Sequence, residues 1–304
     1  MTRSVTANIA ASVQNRLSRL ARERGEDVQL VLLRYANERL MFRLACSKYA
    51  SQFVLKGAAL FTLWTGKPHR ATRDLDLLGF GDPGERHIHE VFLEILALGV
   101  EEDGVQFDLD SLSVGPIREQ QDYGGVRVEL VARLMTARVR LQVDVAFGDA
   151  ITPEATMVEF PPLRDFPAPR LRAYPRETVV AEKLEAIVRL GMVNSRMKDF
   201  YDLVVLANMF DFDGPILERA IRATFERRKT SLPGELPIAL TDVFTSDPTK
   251  TGQWSGFARK AGVDNAGTLS QAAAAIVAFI QRPLLAASSA GPPSTHWQAG
   301  GPWR

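Results

Sequence analysis

The stretch Arg73-Asp74-Leu75-Asp76-Leu77 carries the alternation that decides the fold. Residues i and i+2 of a strand point to the same face of a sheet, so Asp74 and Asp76 project together while the two leucines enter the core. Two carboxylates at this separation repel each other unless a cation lies between them. A hard divalent cation with oxygen ligands is the natural partner. The alternative is a pair of solvated acids on an edge strand, which a lone Asp-x-Asp motif favours.

A third carboxylate follows on a hairpin. Strands are predicted near residues 126–130 and 139–145, and the short Thr136-Ala137 link between them indicates an antiparallel pair. The odd positions of the second strand are apolar, so Asp144 lies on the opposite face. A third carboxylate on a neighbouring strand would complete a two-metal site. An exposed strand position explains Asp144 alone equally well.

Upstream of the acidic pair, a short strand over Phe53–Leu55 leads through Lys56 into Gly57, where a helix to Thr65 begins. A strand that runs into a glycine and then a helix presents backbone N–H groups that can bind phosphate. The signal is weak by itself, because many turns from strand to helix contain glycine.

Helices and strands mixed with such a hairpin predict an α+β sheet domain. Five prolines between Pro161 and Pro175 predict a connector, since proline fits neither a helix interior nor a central strand. Beyond it the chain is predicted to be helical. These helices span Pro175 to Gly191, Ser195 (as the cap) to Met209, 213–228 and 268–281, with a loop-rich segment over 229–267.

The predicted organisation has four parts. They are N-terminal helices packed on the core (1–50), a sheet domain (51–160), a C-terminal helical domain that completes the active site (161–287), and a disordered tail rich in Ser, Gly and Pro (288–304).

The composition excludes several classes of protein. The chain has 304 residues, of which 46% are hydrophobic and 24% charged, and a net charge of +1. This is ordinary globular composition without a global basic field for nucleic acid. A single cysteine, Cys46, excludes a disulfide framework or a cysteine zinc site within one chain. No signal peptide and no apolar run of about 18 residues is evident, so we expect a cytoplasmic protein with no membrane association.

A second group of charged residues lies in the predicted helical part. Lys183 sits among apolar residues of one helix, so its stem can be buried while its amine reaches a pocket. Asp199 and Asp202 are three residues apart and share a face of the next helix, close after Arg196. The alternative is two amphipathic helices that exchange salt bridges.

Together these motifs resemble the AbiEii/AbiGii-type nucleotidyltransferase toxins, which include the MenT-like toxins and belong to the DNA polymerase β-like superfamily. The resemblance runs over roughly residues 50 to 205. It rests on LKGAALFTLWTGKPHRATRDLDL (55–77), on Glu182-Lys183-Leu184, and on the stretch from Arg196 to Leu203. Ala58 departs from the pattern, because the family has a second glycine there.

The resemblance implies a polymerase-β-like mixed-sheet domain followed by a helical domain, and a metal-dependent nucleotidyltransferase. It also implies the site residues. Metal ligands would be Asp74, Asp76 and Asp144, and the catalytic set would add Lys183 and Asp199. The nucleotide would contact Lys56, Gly57, Arg73, Lys183, Arg196 and Asp202.

The implied reaction moves an NMP from an NTP to an RNA acceptor with Mg²⁺ or Mn²⁺. The favoured acceptor is the 3′ end of tRNA, so that translation is inhibited, and a cognate antitoxin protein is the expected partner. Two alternatives stay open. The acceptor could be a protein or a small molecule, or the chain could bind nucleotide without catalysis.

Overall fold

The computed structural model describes residues 2–117, 125–263, 265–288 and 295–304. The chain forms two compact units. Unit 1 contains residues 1–148 and 156–173, and unit 2 contains residues 149–155 and 174–304.

In the described residues of unit 1, seven strands form one mixed sheet. The strands are β1 (Phe53–Lys56), β2 (Asp74–Gly79), β3 (Gln106–Pro116), β4 (Gly125–Leu134), β5 (Ala137–Phe147), β6 (Thr156–Glu159) and β7 (Arg170–Ala173). Their order in the sheet is β3-β4-β5-β2-β1-β7-β6. The pairs β2–β5 and β1–β7 are parallel and the others antiparallel. The predicted α+β class is therefore confirmed.

The helices of unit 1 pack their apolar sides against this sheet. They are α1 (Thr2–Arg24), α2 (Val28–Cys46), α3 (Ala59–Thr65) and α4 (Glu85–Ala97). Helix α2 packs against β5 and α4 against β3. Strand β5 alternates strictly, with Val139, Leu141, Val143 and Val145 buried. The intervening polar positions lie on the opposite face of the sheet, and that face carries the residues of interest.

We predicted that the proline-rich stretch is a connector, but it also takes part in the sheet. It contains β7, an inner strand that pairs with both β1 and β6. Prolines flank β7 without entering it, so every N–H of the strand stays available to the sheet. The preceding loop is held by a buried pair on α2. Glu38 accepts a bond from Leu163 N (2.7 Å), and Arg39 donates to the carbonyl of Pro167 (2.8 Å). The sheet unit thus runs beyond the predicted boundary at residue 160.

Unit 2 is mainly helical in the part of the chain that is described. Its helices are α5 (Arg176–Leu190), α6 (Met197–Met209), α7 (Gly214–Arg227), α8 (Asp242–Thr245), α9 (Pro248–Ala261) and α10 (Leu269–Ala287). The predicted end of α5 at Gly191 is correct, and this glycine has a positive φ of 47°.

Two local predictions in unit 2 were wrong. Ser195 is not the cap of α6, which begins at Met197, while the Asn194 side chain accepts from Arg196 N at 2.8 Å. The segment 229–267 also contains helices α8 and α9, which the sequence reading missed. Asp247 caps α9 through bonds from Thr249 N and Lys250 N, an Asp-Pro start signal that was available in the sequence.

The predicted disordered tail is ordered from residue 295 to residue 304. A short strand β9 (His296–Trp297) pairs with β8 (Phe212–Asp213). Trp297 is buried, and its indole N–H donates to Ala207 O at 2.8 Å. Trp303 stacks parallel to Phe279, with 6.2 Å between the ring centroids. The burial of Trp297 and the stacking of the half-buried Trp303 outweigh the low-complexity composition around them.

Helix α10 is the one described helix that is long and apolar enough to span a membrane by length and composition. Half of it is buried, and it packs on α6 and α7. That packing is typical of a core helix.

Candidate active site

Strand β2 places the acidic pair on the polar face of the sheet. Asp74 and Asp76 are partly exposed, whereas Leu75 and Leu77 between and after them are buried. The two carboxylates therefore share one face, as the alternation predicted. Arg73 precedes the strand and is exposed.

The third carboxylate lies beside the pair. Strand β5 runs parallel to β2, and their register places Asp144 directly opposite Asp76. On the other side of β2, Lys56 of β1 lies opposite Asp76. On the far side of β5, Arg127 of β4 lies opposite Asp144. Four adjacent strands thus carry one row of charges, cation–acid–acid–cation, across the sheet.

The position of Asp76 requires a glycine at residue 57. It follows β1 with a positive φ of 72°, a conformation that a residue with a Cβ adopts only at a cost. A Cβ on this residue would lie 1.9 Å from the Oδ2 atom of Asp76. The side chain of Asp76 therefore rests against the backbone of the turn between β1 and α3. Ala58, the residue before α3, has a φ of −69° and a ψ of −22°, so this position does not require the second glycine of the family pattern.

Arg127 contacts the acidic row and was not among the predicted site residues. Its Nε and Nη2 atoms donate to Oδ1 and Oδ2 of Asp144, each at 2.9 Å. Gln142 also approaches Oδ1 of Asp144, at 3.4 Å. This planar two-bond pairing fixes the orientation of the carboxylate. The hairpin register could have identified Arg127 from the sequence. The position of the turn determines which residue of β4 lies opposite each residue of β5.

The turn lies one residue earlier than predicted. Strands β4 and β5 are joined through Met135 and Thr136, and Leu134 pairs with Ala137. A link of Thr136 and Ala137 would have placed Glu129 opposite Asp144. Met135 adopts a positive φ of 54°, which is uncommon for a residue with a side chain but typical of the first position in a two-residue hairpin turn.

The carboxylates of unit 1 suit a hard divalent cation. Asp74, Asp76 and Asp144 supply only oxygen donors, the ligands that Mg²⁺ and Mn²⁺ prefer, and the first two share a face. In the described part of the chain, however, no three His, Cys, Asp or Glu side chains are already gathered around one point. Asp144 is directed toward Arg127 instead. A cation there would compete with Arg127 for the carboxylate of Asp144.

The second predicted group lies within unit 2 and forms a compact ion cluster. The Nζ atom of Lys183 on α5 donates to Asp199 Oδ1 (3.0 Å) and to Asp202 Oδ2 (2.7 Å), both on α6. Arg196 donates through Nε to Asp199 Oδ2 at 2.6 Å. The side chains of Asp199 and Asp202 are 1% and 0% exposed, so the bonds to cations are what makes their burial tolerable.

The cluster shifts the ionisation of its members. Burial alone would raise the pKa of Asp199, but the charges of Lys183 and Arg196 outweigh burial and hold that pKa at about 2. The charge of Asp199 in turn raises the pKa of Arg196. Asp199 is therefore a carboxylate throughout the neutral range, as an acceptor that orients Lys183 must be.

Unit 2 contains a further charged group, around Arg228, that was not predicted. Arg228 at the end of α7 bonds Asp149 (2.9 Å) and Glu185 (2.9 Å), and approaches Glu182 at 3.4 Å. Burial would lower the pKa of Arg228, but Glu182 and Asp149 raise it. Two of these acids are on α5, so the group anchors the helix that carries Lys183. Arg228 lies in the basic run Arg227-Arg228-Lys229, and nothing in the sequence distinguishes the arginine that binds these acids.

A mixed sheet that carries a row of acids, followed by a helical unit, fits the class of nucleotidyltransferases. The chain belongs to the AbiEii nucleotidyl transferase toxin family (Type IV TA system), whose model matches residues 39–275.

Two solved structures from Helicobacter pylori are similar, the crystal structure of JHP933 and that of a "putative nucleotidyltransferase". Each shares 16% sequence identity with this chain at a TM-score of 0.46, over 83% of this chain. The aligned regions cover 90% and 93% of those two chains, respectively. No curated protein matches.

Proposed function

We propose that this protein is a toxin that transfers an NMP from an NTP to an RNA acceptor, with the 3′ end of tRNA as the favoured acceptor. Modification of that end would inhibit translation. The observation that carries the proposal is the register of β1, β2 and β5, which aligns Lys56, Asp76 and Asp144 in one row. Asp74 lies on the same face, two residues from Asp76.

The reaction is attack of an acceptor hydroxyl on the α-phosphate of the NTP, after which pyrophosphate leaves. Asp74, Asp76 and Asp144 would hold divalent cations, Mg²⁺ or Mn²⁺. Such ions, when bound, neutralise phosphate charge and make the acceptor hydroxyl more acidic. Asp144 is also the group we assign to accept the hydroxyl proton. Its place opposite Asp76 supports this role, because one carboxylate can then face both cation and acceptor.

The remaining residues of unit 1 would bind the triphosphate. Lys56 ends β1 and faces the acidic row, so its charge can balance the phosphates. Gly57 offers its backbone at the same turn, where the absence of a Cβ permits close approach. Arg73, exposed ahead of β2, is a secondary candidate.

In unit 2 we assign Lys183 to the neutralisation of phosphate charge, with Asp199 and Asp202 as the groups that orient it. Their bonds to Lys183 Nζ, at 3.0 and 2.7 Å, support the orienting role. Arg196 would act through Asp199, to which it is bonded. This assignment rests on the resemblance to the family, in which the equivalent motifs serve catalysis.

Membership of a toxin–antitoxin family supports a cognate antitoxin as the protein partner. NTPs and tRNA are cytoplasmic, so we place the protein in the cytoplasm.

The proposal is tested with purified protein, total tRNA, Mg²⁺ and each α-labelled NTP in turn. Label should enter tRNA with at least one NTP, and Asp74→Ala should abolish transfer. The matched control is Asp110→Ala, an exposed acid on β3 that should leave transfer unchanged. Label in protein or in a small molecule would overturn the acceptor. Nucleotide binding without any transfer would overturn the enzymatic assignment.

A further inference from the structure

Asp144 is engaged by an arginine. Arg127 occupies both carboxylate oxygens with a two-bond fork, and the two side chains are only 31% and 18% exposed. The same oxygens are those that our proposed function assigns to a cation. A guanidinium cannot lose its proton in a protein, so it cannot leave Asp144 by becoming neutral.

We propose that Arg127 is a nucleotide-binding residue that changes partner, from the carboxylate of Asp144 to a phosphate of the incoming NTP, and thereby makes the cation site dependent on nucleotide. The inference rests on the proposed function. It adds a residue with a defined ligand, a triphosphate oxygen, and a reason why cation and nucleotide should bind together.

The chemistry of the fork supports this exchange. Guanidinium groups pair with carboxylates and with phosphates through the same two parallel N–H bonds. A divalent cation at Asp144 would place further positive charge beside Arg127, and the two cations would repel each other. A phosphate removes that conflict, because it binds the arginine and the metal at once. The nucleotide must therefore favour the cation, and the cation must favour the nucleotide to the same extent.

The row of charges places Arg127 where this exchange is possible. Arg127 is opposite Asp144 in the sheet, and Asp144 is opposite Asp76. Lys56 closes the other end of the row. Two cationic side chains thus flank the acids, as a binding surface for a polyanion with cations requires.

The chain offers a matched control on the same strand and face. Arg133 forms a similar ion pair with Asp108, at 2.7 Å. It lies six residues from Arg127, which is about 20 Å along a strand. Arg133→Gln therefore removes an arginine–aspartate pair from β4 without touching the acidic row.

The test measures two binding events separately. Mn²⁺ binding is followed by electron paramagnetic resonance without nucleotide. Binding of a non-hydrolysable NTP analogue is followed by calorimetry in EDTA. For Arg127→Gln we expect about tenfold tighter Mn²⁺ binding and about tenfold weaker analogue binding, the size of a shift of about 1.4 kcal/mol. Arg133→Gln should change neither, and Arg127→Lys should weaken the analogue less than Arg127→Gln does.

The proposal predicts opposite changes in the affinities for Mn²⁺ and for the analogue, and this distinguishes it from a purely structural role of Arg127. If Arg127 merely held Asp144 in place for the metal, both affinities would fall or Mn²⁺ binding would weaken alone. Either of these results, or two unchanged affinities, would overturn the inference. Thermal unfolding by circular dichroism checks that each variant is folded, and Arg127→Lys replaces Arg127→Gln if the latter is not.

Asp144→Asn separates this inference from the proposed function. If Asp144→Asn binds Mn²⁺ as the wild type does, the metal assignment in the proposed function is wrong. If it loses Mn²⁺ while Arg127→Gln binds Mn²⁺ unchanged, the metal assignment stands and only the exchange is wrong.

Discussion

Asp76 and Asp144 lie directly opposite each other on the adjacent parallel strands β2 and β5. They are 68 positions apart in the sequence, so only the sheet brings them together. Asp76 is further confined by the turn at Gly57, and Asp144 by the fork of Arg127. Each acid therefore has its own neighbour, and each of the two contacts can be tested separately.

The first test concerns the turn. Gly57→Ala should abolish nucleotide transfer, because the new Cβ would collide with the Asp76 carboxylate at 1.9 Å. The strained φ should also cost about 1–2 kcal/mol of unfolding free energy. Gly66→Ala is the control, since Gly66 has a similar φ of 74° but open space around the added carbon. It should lose comparable stability and keep its activity. Equal activity of the two variants would show that the turn does not position Asp76.

The second test concerns the buried cluster. Lys183→Met should lower the free energy of unfolding by about 3–5 kcal/mol, because it leaves buried carboxylates without their shared cation. The acids affected are Asp199 and Asp202, which are almost fully buried. Lys198→Met on the exposed side of α6 is the matched control and should change stability little. Urea unfolding measures both. A loss below 1 kcal/mol for Lys183→Met would mean that the cluster contributes little to the stability of the fold.

The third test uses pH. The pKa of Asp199 is about 2 in the folded protein, below its ordinary value of 3.8. A carboxyl with a depressed pKa stabilises the fold above its unfolded pKa, and this stabilisation is lost as the pH falls through the folded pKa. The contribution is about 2 kcal/mol in full, of which about 1 kcal/mol should disappear between pH 5 and pH 3.

The measurement compares wild type with Asp199→Asn by urea unfolding at several pH values. The difference in unfolding free energy should be constant above pH 5 and should shrink below pH 4. Asp110→Asn, an exposed acid on β3, should run parallel to wild type. A difference that stays constant down to pH 3 would contradict the assigned pKa.

The fourth test concerns the C-terminal strand. Trp297→Ala should cost about 3–5 kcal/mol, the usual loss for a buried tryptophan. This side chain is 3% exposed and donates a hydrogen bond to Ala207 O at 2.8 Å. His296→Ala on the same strand is the control, because that side chain is 53% exposed. Thermal unfolding that is identical for the two variants would restore the prediction of a disordered tail.

Much of unit 1 follows from local patterns in the sequence. Alternation predicted β2 and β5, and it placed Asp74 and Asp76 on one face because a strand has a period of two residues. In unit 2, Pro175 and Gly191 indicated the two ends of α5. Strand β7 was missed because a short strand between prolines has no room to show an alternating pattern.

The cross-strand row depends on information of another kind. The order β4-β5-β2-β1 and the position of the hairpin turn together place Arg127 opposite Asp144 and Lys56 opposite Asp76. A turn one residue later would have placed Glu129 opposite Asp144 instead of Arg127. The neighbour of Asp144 would then have been negatively charged instead of positively charged. Local sequence patterns cannot resolve a shift of one residue in a turn, because Met135 and Thr136 carry no glycine signal.

The sequence by itself determined which acids this protein presents and on which faces of its strands and helices they lie. Side-chain periodicity is a local property of the backbone, so it can be read residue by residue. Only the tertiary structure decided what those acids touch. The pairs Asp144–Arg127 and Lys183–Asp202 join separate elements, and such contacts form only when strand register and helix packing are set by burial of the whole core.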